Sequence, residues 1–161
     1  MRVSGKSILV TGAGGGIGEG IARRLASEGA QVIVNDLNAA AGQRVAEAIV
    51  AAGGRASFFQ ADVTQSSQVH ALVAAAVQRH GVLDVMVNNA GWTHRNRPAL
   101  EVSEEEFDRC YSVNVKSIYL ATIHATPEEL NTNRDLWRCS KARRVVCSST
   151  AFPLALRSAT R

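Results

Sequence analysis

Thr11-Gly12-Ala13-Gly14-Gly15-Gly16-Ile17-Gly18 decides how this chain is read. Before it runs Ser7-Ile8-Leu9-Val10, a short apolar stretch that continues into Thr11 and has the pattern of a buried strand. After it, Ile17, Ile21, Ala22 and Leu25 fall on one helical face, and that helix is predicted to end near Gly29. Five glycines in seven positions therefore stand at a strand-to-helix junction. A helix N-terminus carries unpaired N–H groups and a partial positive charge, and residues without side chains let an anion come close to both. The spacing G-x-x-x-G-x-G assigns Gly12 to the tight turn, Gly16 to the approach of a pyrophosphate and Gly18 to close packing of helix on strand. Gly14, Gly15 and Ile17 complete the cradle. A merely flexible glycine loop is the alternative.

Outward from this junction the chain alternates between two periods. Gln31–Asn35 reads as a second strand, Ala39–Ala52 as an alanine-rich helix, Ala56–Gln60 as a third strand and Val82–Val87 as a fourth. Thr64 is the expected N-cap of a helix whose stripe is Val69, Leu72, Val73, Ala76 and Val77. Ser103-Glu104-Glu105-Glu106 reads as a capping box opening a long helix with Phe107, Tyr111, Val115, Ile118 and Tyr119. Strands separated by helical crossovers and short loops predict an α/β fold, a doubly wound, Rossmann-like parallel sheet.

Asp36 ends the second strand and is followed by Leu37. A carboxylate there can accept hydrogen bonds from the hydroxyls of an adenosine ribose and would repel a 2′-phosphate. No Lys or Arg lies in residues 11–18 to attract one. NAD is thus favoured over NADP as cofactor. The alternative is an Asp that only caps the helix after Leu37-Asn38.

Composition narrows the class. The 161 residues are 46% hydrophobic and 20% charged, ordinary for a globular domain. No apolar run approaches the roughly 18–20 residues of a membrane span, and Met1–Ser7 has no apolar secretory h-region, so neither membrane association nor export is expected. Three cysteines, Cys110, Cys139 and Cys147, suggest neither a disulfide framework nor a metal site, and point to the cytoplasm. The net charge of +4 is uneven: residues 1–125 hold 11 basic and 11 acidic side chains, and residues 126–161 hold 7 and 3. A neutral body with a basic end is not the footprint of a nucleic-acid-binding domain.

Together with Asp62-Val63 after the third strand, Asn88-Asn89-Ala90-Gly91 after the fourth and Asn114-Val115 in the long helix, the glycine motif resembles the short-chain dehydrogenases/reductases over about residues 3–125. The general flavour is similar to 3-oxoacyl reductases and sugar or alcohol dehydrogenases of that family. The resemblance implies an NAD(P)-dependent oxidoreductase acting on a small-molecule carbonyl/alcohol pair. It implies that Asp62 meets the adenine amino group with Val63 supporting the ring, and that Asn89, Ala90 and Gly91 line the path from adenosine to nicotinamide. Asn114 would kink its helix and hold a water in a proton relay. Family members are homo-oligomers whose main contacts use this long helix and the one after it.

The pattern then breaks. Family catalysis rests on a Ser followed by Tyr-x-x-x-Lys, and no such pair occurs here. The two tyrosines, Tyr111 and Tyr119, lack a lysine four residues on and are read as packing residues. Arg143-Arg144-Val145-Val146-Cys147-Ser148-Ser149 resembles the fifth strand and catalytic serine, which makes Ser149 the catalytic candidate beside Asn114; a chance string is the alternative. Trp137-Arg138-Cys139-Ser140-Lys141 has the Tyr–Lys spacing with Trp first, and an indole cannot act as the base.

Residues 1–125 are therefore read as a dinucleotide-binding domain and 126–161 as an atypical basic tail that includes a fifth strand near 143–149. The tail has no glycine, whereas all 13 lie at or before Gly91. A truncated or frame-shifted family product, with a sheet incomplete on its C-terminal side, is the leading expectation; a variant with an insertion before the fifth strand is the second. Should the fifth strand not pair, the fourth becomes an exposed apolar edge. A non-catalytic nucleotide-binding remnant and a basic-tail interaction protein are the rival functional readings.

Overall fold

The computed structural model describes residues 3–94, 98–126 and 142–147. Five parallel strands form one sheet in the order β3-β2-β1-β4-β5: β1 Ser7–Val10, β2 Gln31–Asp36, β3 Arg55–Gln60, β4 Leu83–Asn88 and β5 Ala142–Cys147. The helices are α1 Gly16–Ser27, α2 Ala39–Ala51, α3 Ser66–His80, α4 Glu104–Tyr111 and α5 Ser117–Ala125, the last two joined by a π turn over Ser112–Lys116. The doubly wound arrangement expected from the alternation is what forms.

β1 lies at the centre, and all four of its residues are buried. Its side chains alternate between two cores, as a strand covered on both faces must. Ile8 and Val10 join Ala22, Ala26, Val32, Val34, Val45 and Ile49 under α1 and α2. Leu9 joins Ile33, Leu72, Val73, Ala76, Leu83, Met86, Ala121 and Ala125 under α3 and α5. Burying each Val, Leu, Ile or Met side chain of these cores fully contributes about 1.5–3 kcal/mol.

β5 pairs with β4 from Leu83 opposite Ala142 to Asn88 opposite Cys147. The fourth strand is thus covered, and the exposed edge anticipated for it does not arise.

Several local expectations need correction. Thr64 does not cap α3, which begins at Ser66 after Gln65; the N–H and hydroxyl of Thr64 instead donate to Asp62 Oδ1 at 2.9 and 2.8 Å. The Asp62 carboxylate takes both Thr64 donors in a local turn, and the helix starts two residues further on. Ile17 is exposed, while its helix packs through Ala22 and Ala26. Tyr111 and Tyr119 are not packing residues: with Phe107, Val115 and Ile123 they form an exposed stripe four residues apart, while Leu120, Ala121 and Ala125 face the core. The capping box at Ser103 and Glu106 forms as read.

Candidate functional site: a cleft at the strand reversal

The strand order reverses between β1 and β4, where the chain leaves β1 for α1 on one face of the sheet and β4 for the opposite face. Crevices beyond the carboxyl ends of strands at such a reversal are where doubly wound sheets take ligands. A cleft of about 820 Å³ opens there. That lies within the roughly 300–1,000 Å³ of small-molecule and cofactor sites.

Its floor is tied together by hydrogen bonds between the loops after β1 and β4. Thr11 Oγ1 accepts from the N–H groups of Asn89 and Ala90 at 3.0 and 3.1 Å. The Asn89 side-chain amide donates to the Thr11 and Gly12 carbonyls at 2.9 and 3.1 Å. The loops come this close because of two glycines. A Cβ on Gly12, whose φ is +61°, would lie 2.8 Å from Ala90 Cα, and a Cβ on Gly18 would collide with the Gly12 carbonyl and the Asn89 amide.

α1 begins at Gly16 after Gly15, with no side chain capping its first N–H groups. A Cβ at Gly15 or Gly16 would meet nothing within 4 Å. This is an uncapped helix N-terminus bordered by open space, which suits an anion. Asp36 stands beside it at the end of β2. Its Oδ2 accepts from Gly14 N–H at 2.8 Å and its Oδ1 from Asn38 N–H at 2.9 Å. The cap of α2 is Asn38, which accepts from Ala41 N–H, so Asp36 is not spent on that task.

Of the residues read from the sequence, Gly12, Gly15, Ile17, Gly18, Asp36, Leu37, Asp62, Val63, Asn89, Ala90, Gly91 and Asn114 all line this cleft. Gly14 and Gly16 do not. Gly14 sits behind it, where a Cβ would press on the Asp36 carboxyl at 2.8 Å, and Gly16 supplies the positive φ of +54° that turns the chain into α1. Ser149 lies outside the described residues, as do Ser148, Trp137 and Lys141. Asp62 both lines the cleft and anchors the Thr64 turn. Asn114 sits inside the π turn, where its amide closes a ring with Trp92: Nδ2 donates to the Trp92 carbonyl at 2.7 Å and Oδ1 accepts from Trp92 N–H at 2.9 Å.

Sequence reasoning missed Asn35, Ala61, Trp92, Thr93, Arg109 and Val113, which complete the lining. The Arg109 guanidinium lies 4.4 Å from the Trp92 ring centroid, in cation–π contact. Asn35 is buried; its Nδ2 donates to the Phe59 and Ala61 carbonyls at 3.1 Å each, and its Oδ1 has no partner among the described residues. Trp92 follows directly on the Asn-Asn-Ala-Gly run, a signal available in the sequence. Arg44 was missed too: it comes from α2 to donate to the Gly14 carbonyl at 3.0 Å.

These features fit a dinucleotide. The uncapped helix, the open faces at Gly15 and Gly16, a carboxylate at the end of β2 and an orphaned acceptor at Asn35 offer the donors, acceptors and clearance it needs.

Comparison with known proteins agrees with the geometry. The family model for short chain dehydrogenases matches residues 6–150. The chain is 49% identical over 127 residues to a 4-formylbenzenesulfonate dehydrogenase of Comamonas testosteroni, an alignment covering 79% of this chain and 50% of that protein. It is 49% identical over 122 residues to an uncharacterized oxidoreductase of Methylorubrum extorquens, covering 75% and 49%. Among solved structures, a short chain dehydrogenase from Mycobacterium avium superposes with a TM-score of 0.72 at 41% identity, covering 76% of this chain and 45% of that one. A metagenomic short-chain oxidoreductase in complex with NADP superposes with a TM-score of 0.72 at 36% identity, covering 77% and 56%. The chain belongs to the short-chain dehydrogenase family, a family of NAD(P)-binding oxidoreductases. It spans about half the length of the relatives it matches. Among the described residues no helix is long and apolar enough to cross a membrane.

Proposed function

We propose that this chain holds the adenosine half of a nicotinamide dinucleotide in the cleft and belongs to an oxidoreductase acting on a carbonyl/alcohol pair. The observation that carries the reading is the uncapped N-terminus of α1 beside Asp36 at the strand reversal. The N–H groups of the first turn of α1 would hold the pyrophosphate, with Gly12 and Gly18 allowing the loops to close beneath it. Asp36 would accept from the ribose hydroxyls, which favours NAD over NADP. Asp62 and Val63 would border the adenine, and Asn89 to Gly91 would lead toward the nicotinamide. A bound nicotinamide would supply the hydride acceptor or donor.

The chemical step needs more than this. An unperturbed Tyr has a pKa near ~10, so a base of that type requires a neighbouring cation, and the 161 residues contain no Tyr-x-x-x-Lys. The family match reaching residue 150 and the pairing of β5 with β4 support Ser149 as the substrate-binding serine. We therefore read the chain as binding the cofactor without turning over substrate at family rates. The exposed stripe of Phe107, Tyr111, Val115, Tyr119 and Ile123 supports self-association through α4 and α5.

Titration of NADH into the purified chain, followed by nicotinamide fluorescence and calorimetric heat, tests the reading. Binding is expected, with Asp36→Ala weakening it about 30-fold, the loss of charge-assisted hydrogen bonds worth about 2 kcal/mol. No carbonyl reduction is expected in the same sample. Binding unaffected by Asp36→Ala, or turnover at family rates, would contradict it.

A further inference from the structure

Behind the glycine loop lies a charge cluster that the cofactor reading leaves unused. Arg44 of α2 donates through Nη2 to Glu19 Oε2 of α1 at 2.8 Å and through Nη1 to Glu19 Oε1 at 3.3 Å. The same Nη2 donates to the Gly14 carbonyl. Arg23 donates through Nε to Glu19 Oε1 at 2.9 Å. Glu19 thus takes two guanidinium groups. The hydrogen bond from Arg44 first, then that from Arg23, holds its carboxyl at about 2, so it stays ionised at any physiological pH.

Gly14 links this cluster to the cleft. Its carbonyl accepts from Arg44 and its N–H donates to Asp36 Oδ2. The guanidinium and the Asp36 carboxylate therefore lie on two sides of one residue. Among the described residues, Arg44 is the cation that α2 brings to this loop, and it shares the single charge of Glu19 with Arg23.

We propose that Glu19 is a specificity-determining residue for the dinucleotide, holding Arg44 on the Gly14 carbonyl with its guanidinium fork occupied so that the loop selects a ribose with a free 2′-hydroxyl over one with a 2′-phosphate. The inference rests on the cofactor reading above. Glu19 acts through other groups, so its role is one of positioning. Arg44 holds the peptide after Gly14 by its carbonyl, and the N–H of the peptide before Gly14 orients Asp36, so the two contacts are coupled through the Gly14 backbone. Removing the Glu19 charge makes the cluster one unit more positive and leaves the Arg44 fork without a carboxylate. A guanidinium fork matches phosphate oxygens in geometry and charge.

The test is calorimetric titration of NADH, NADPH and ADP-ribose into wild-type chain, Glu19→Gln, Arg44→Met and the double variant at one ionic strength, with circular dichroism to verify folding. Glu19→Ala makes the same charge change should the Gln variant fold poorly. Wild type is expected to bind NADH more tightly than NADPH. Glu19→Gln is expected to narrow that ratio on the order of tenfold, through tighter NADPH binding, and the double variant to lose the gain. Arg44→Met is expected to weaken NADH a few-fold without narrowing the ratio. An unchanged ratio in Glu19→Gln, or a gain that survives in the double variant, overturns the inference while leaving NADH binding intact. A folded wild-type chain that binds neither NADH nor ADP-ribose overturns the cofactor reading and the inference together.

Discussion

The two ends of the same sheet are built from similar residues and do different things. At the amino ends of the strands, Asp84 is buried; its Oδ1 accepts from Lys6 Nζ and its Oδ2 from Ser7 N–H, both at 3.0 Å. Ser7 Oγ and His80 Nδ1 share a hydrogen bond of 2.8 Å nearby. Charge meets charge and donor meets acceptor. At the carboxyl ends, Asp36 also has partners on both oxygens, yet it borders open space beside a helix whose first N–H groups no side chain caps. A carboxylate on a strand is thus no guide to function by itself. What separates Asp36 from Asp84 is the unfilled hydrogen-bonding capacity around it. Buried polar groups are normally satisfied within the fold, so donors left open at a cleft mark the end where a ligand belongs.

The contrast can be broken by mutation. Gly18→Ala is expected to have the largest effect, because its Cβ would enter the Gly12 carbonyl and the Asn89 amide on which the cleft is assembled. A loss of about 3 kcal/mol in chemical denaturation, with NADH binding abolished, is the expected outcome. Asp84→Asn at the opposite end should separate stability from binding. It removes the partner of Lys6 and disturbs the Ser7 contact, costing about 1–2 kcal/mol, while NADH affinity in the folded protein stays unchanged. A matching loss of affinity would mean that the two ends are not independent.

The smallest effect is one of pH. Burial first, then the charges of Arg79 and Arg55, pushes His80 below its ordinary 6.5. Burial first, then His70, does the same to His124. The folded protein therefore takes up these protons less readily than the unfolded chain. Stability is full above pH 6.5 and falls on acidification below it. Denaturation midpoints measured from pH 7.5 to 5 should show a shallow decline that flattens in a His80→Gln/His124→Gln variant.

Much of this architecture was legible in the amino-acid sequence. The glycine run and Asp36 were readable because each is a residue type that its position requires, no Cβ where loops touch and a carboxylate where a strand ends at a cleft, whereas Asp62 and Asn89 were marked by the family resemblance. The alternation of Ile8, Leu9 and Val10 between two cores was implicit in an uninterrupted apolar strand. What stayed hidden depends on partners far away in sequence. Arg44 lies 30 residues from Gly14, and the absence of basic residues in 11–18 gave no hint that α2 would deliver one. Trp92 and Arg109 meet across the loop after β4 and the start of the long helix. The exposed stripe on α4 and α5 misled because periodicity shows that a helix has an apolar face without saying whether this chain's sheet covers it. Here Leu120, Ala121 and Ala125 do that work, and Tyr111 and Tyr119 are left outside.

The central claim is our proposal that the carboxyl end of the sheet, and not the Asp84 end, takes the adenosine half of a dinucleotide. Amide resonances of the labelled chain, followed during titration with ADP-ribose, test it most directly. The account predicts saturable shifts at Gly15 to Gly18, Asp36 and Asp62, with Lys6, Ser7, His80 and Asp84 unmoved. No shifts in a folded sample, or shifts shared equally by both ends, would contradict it.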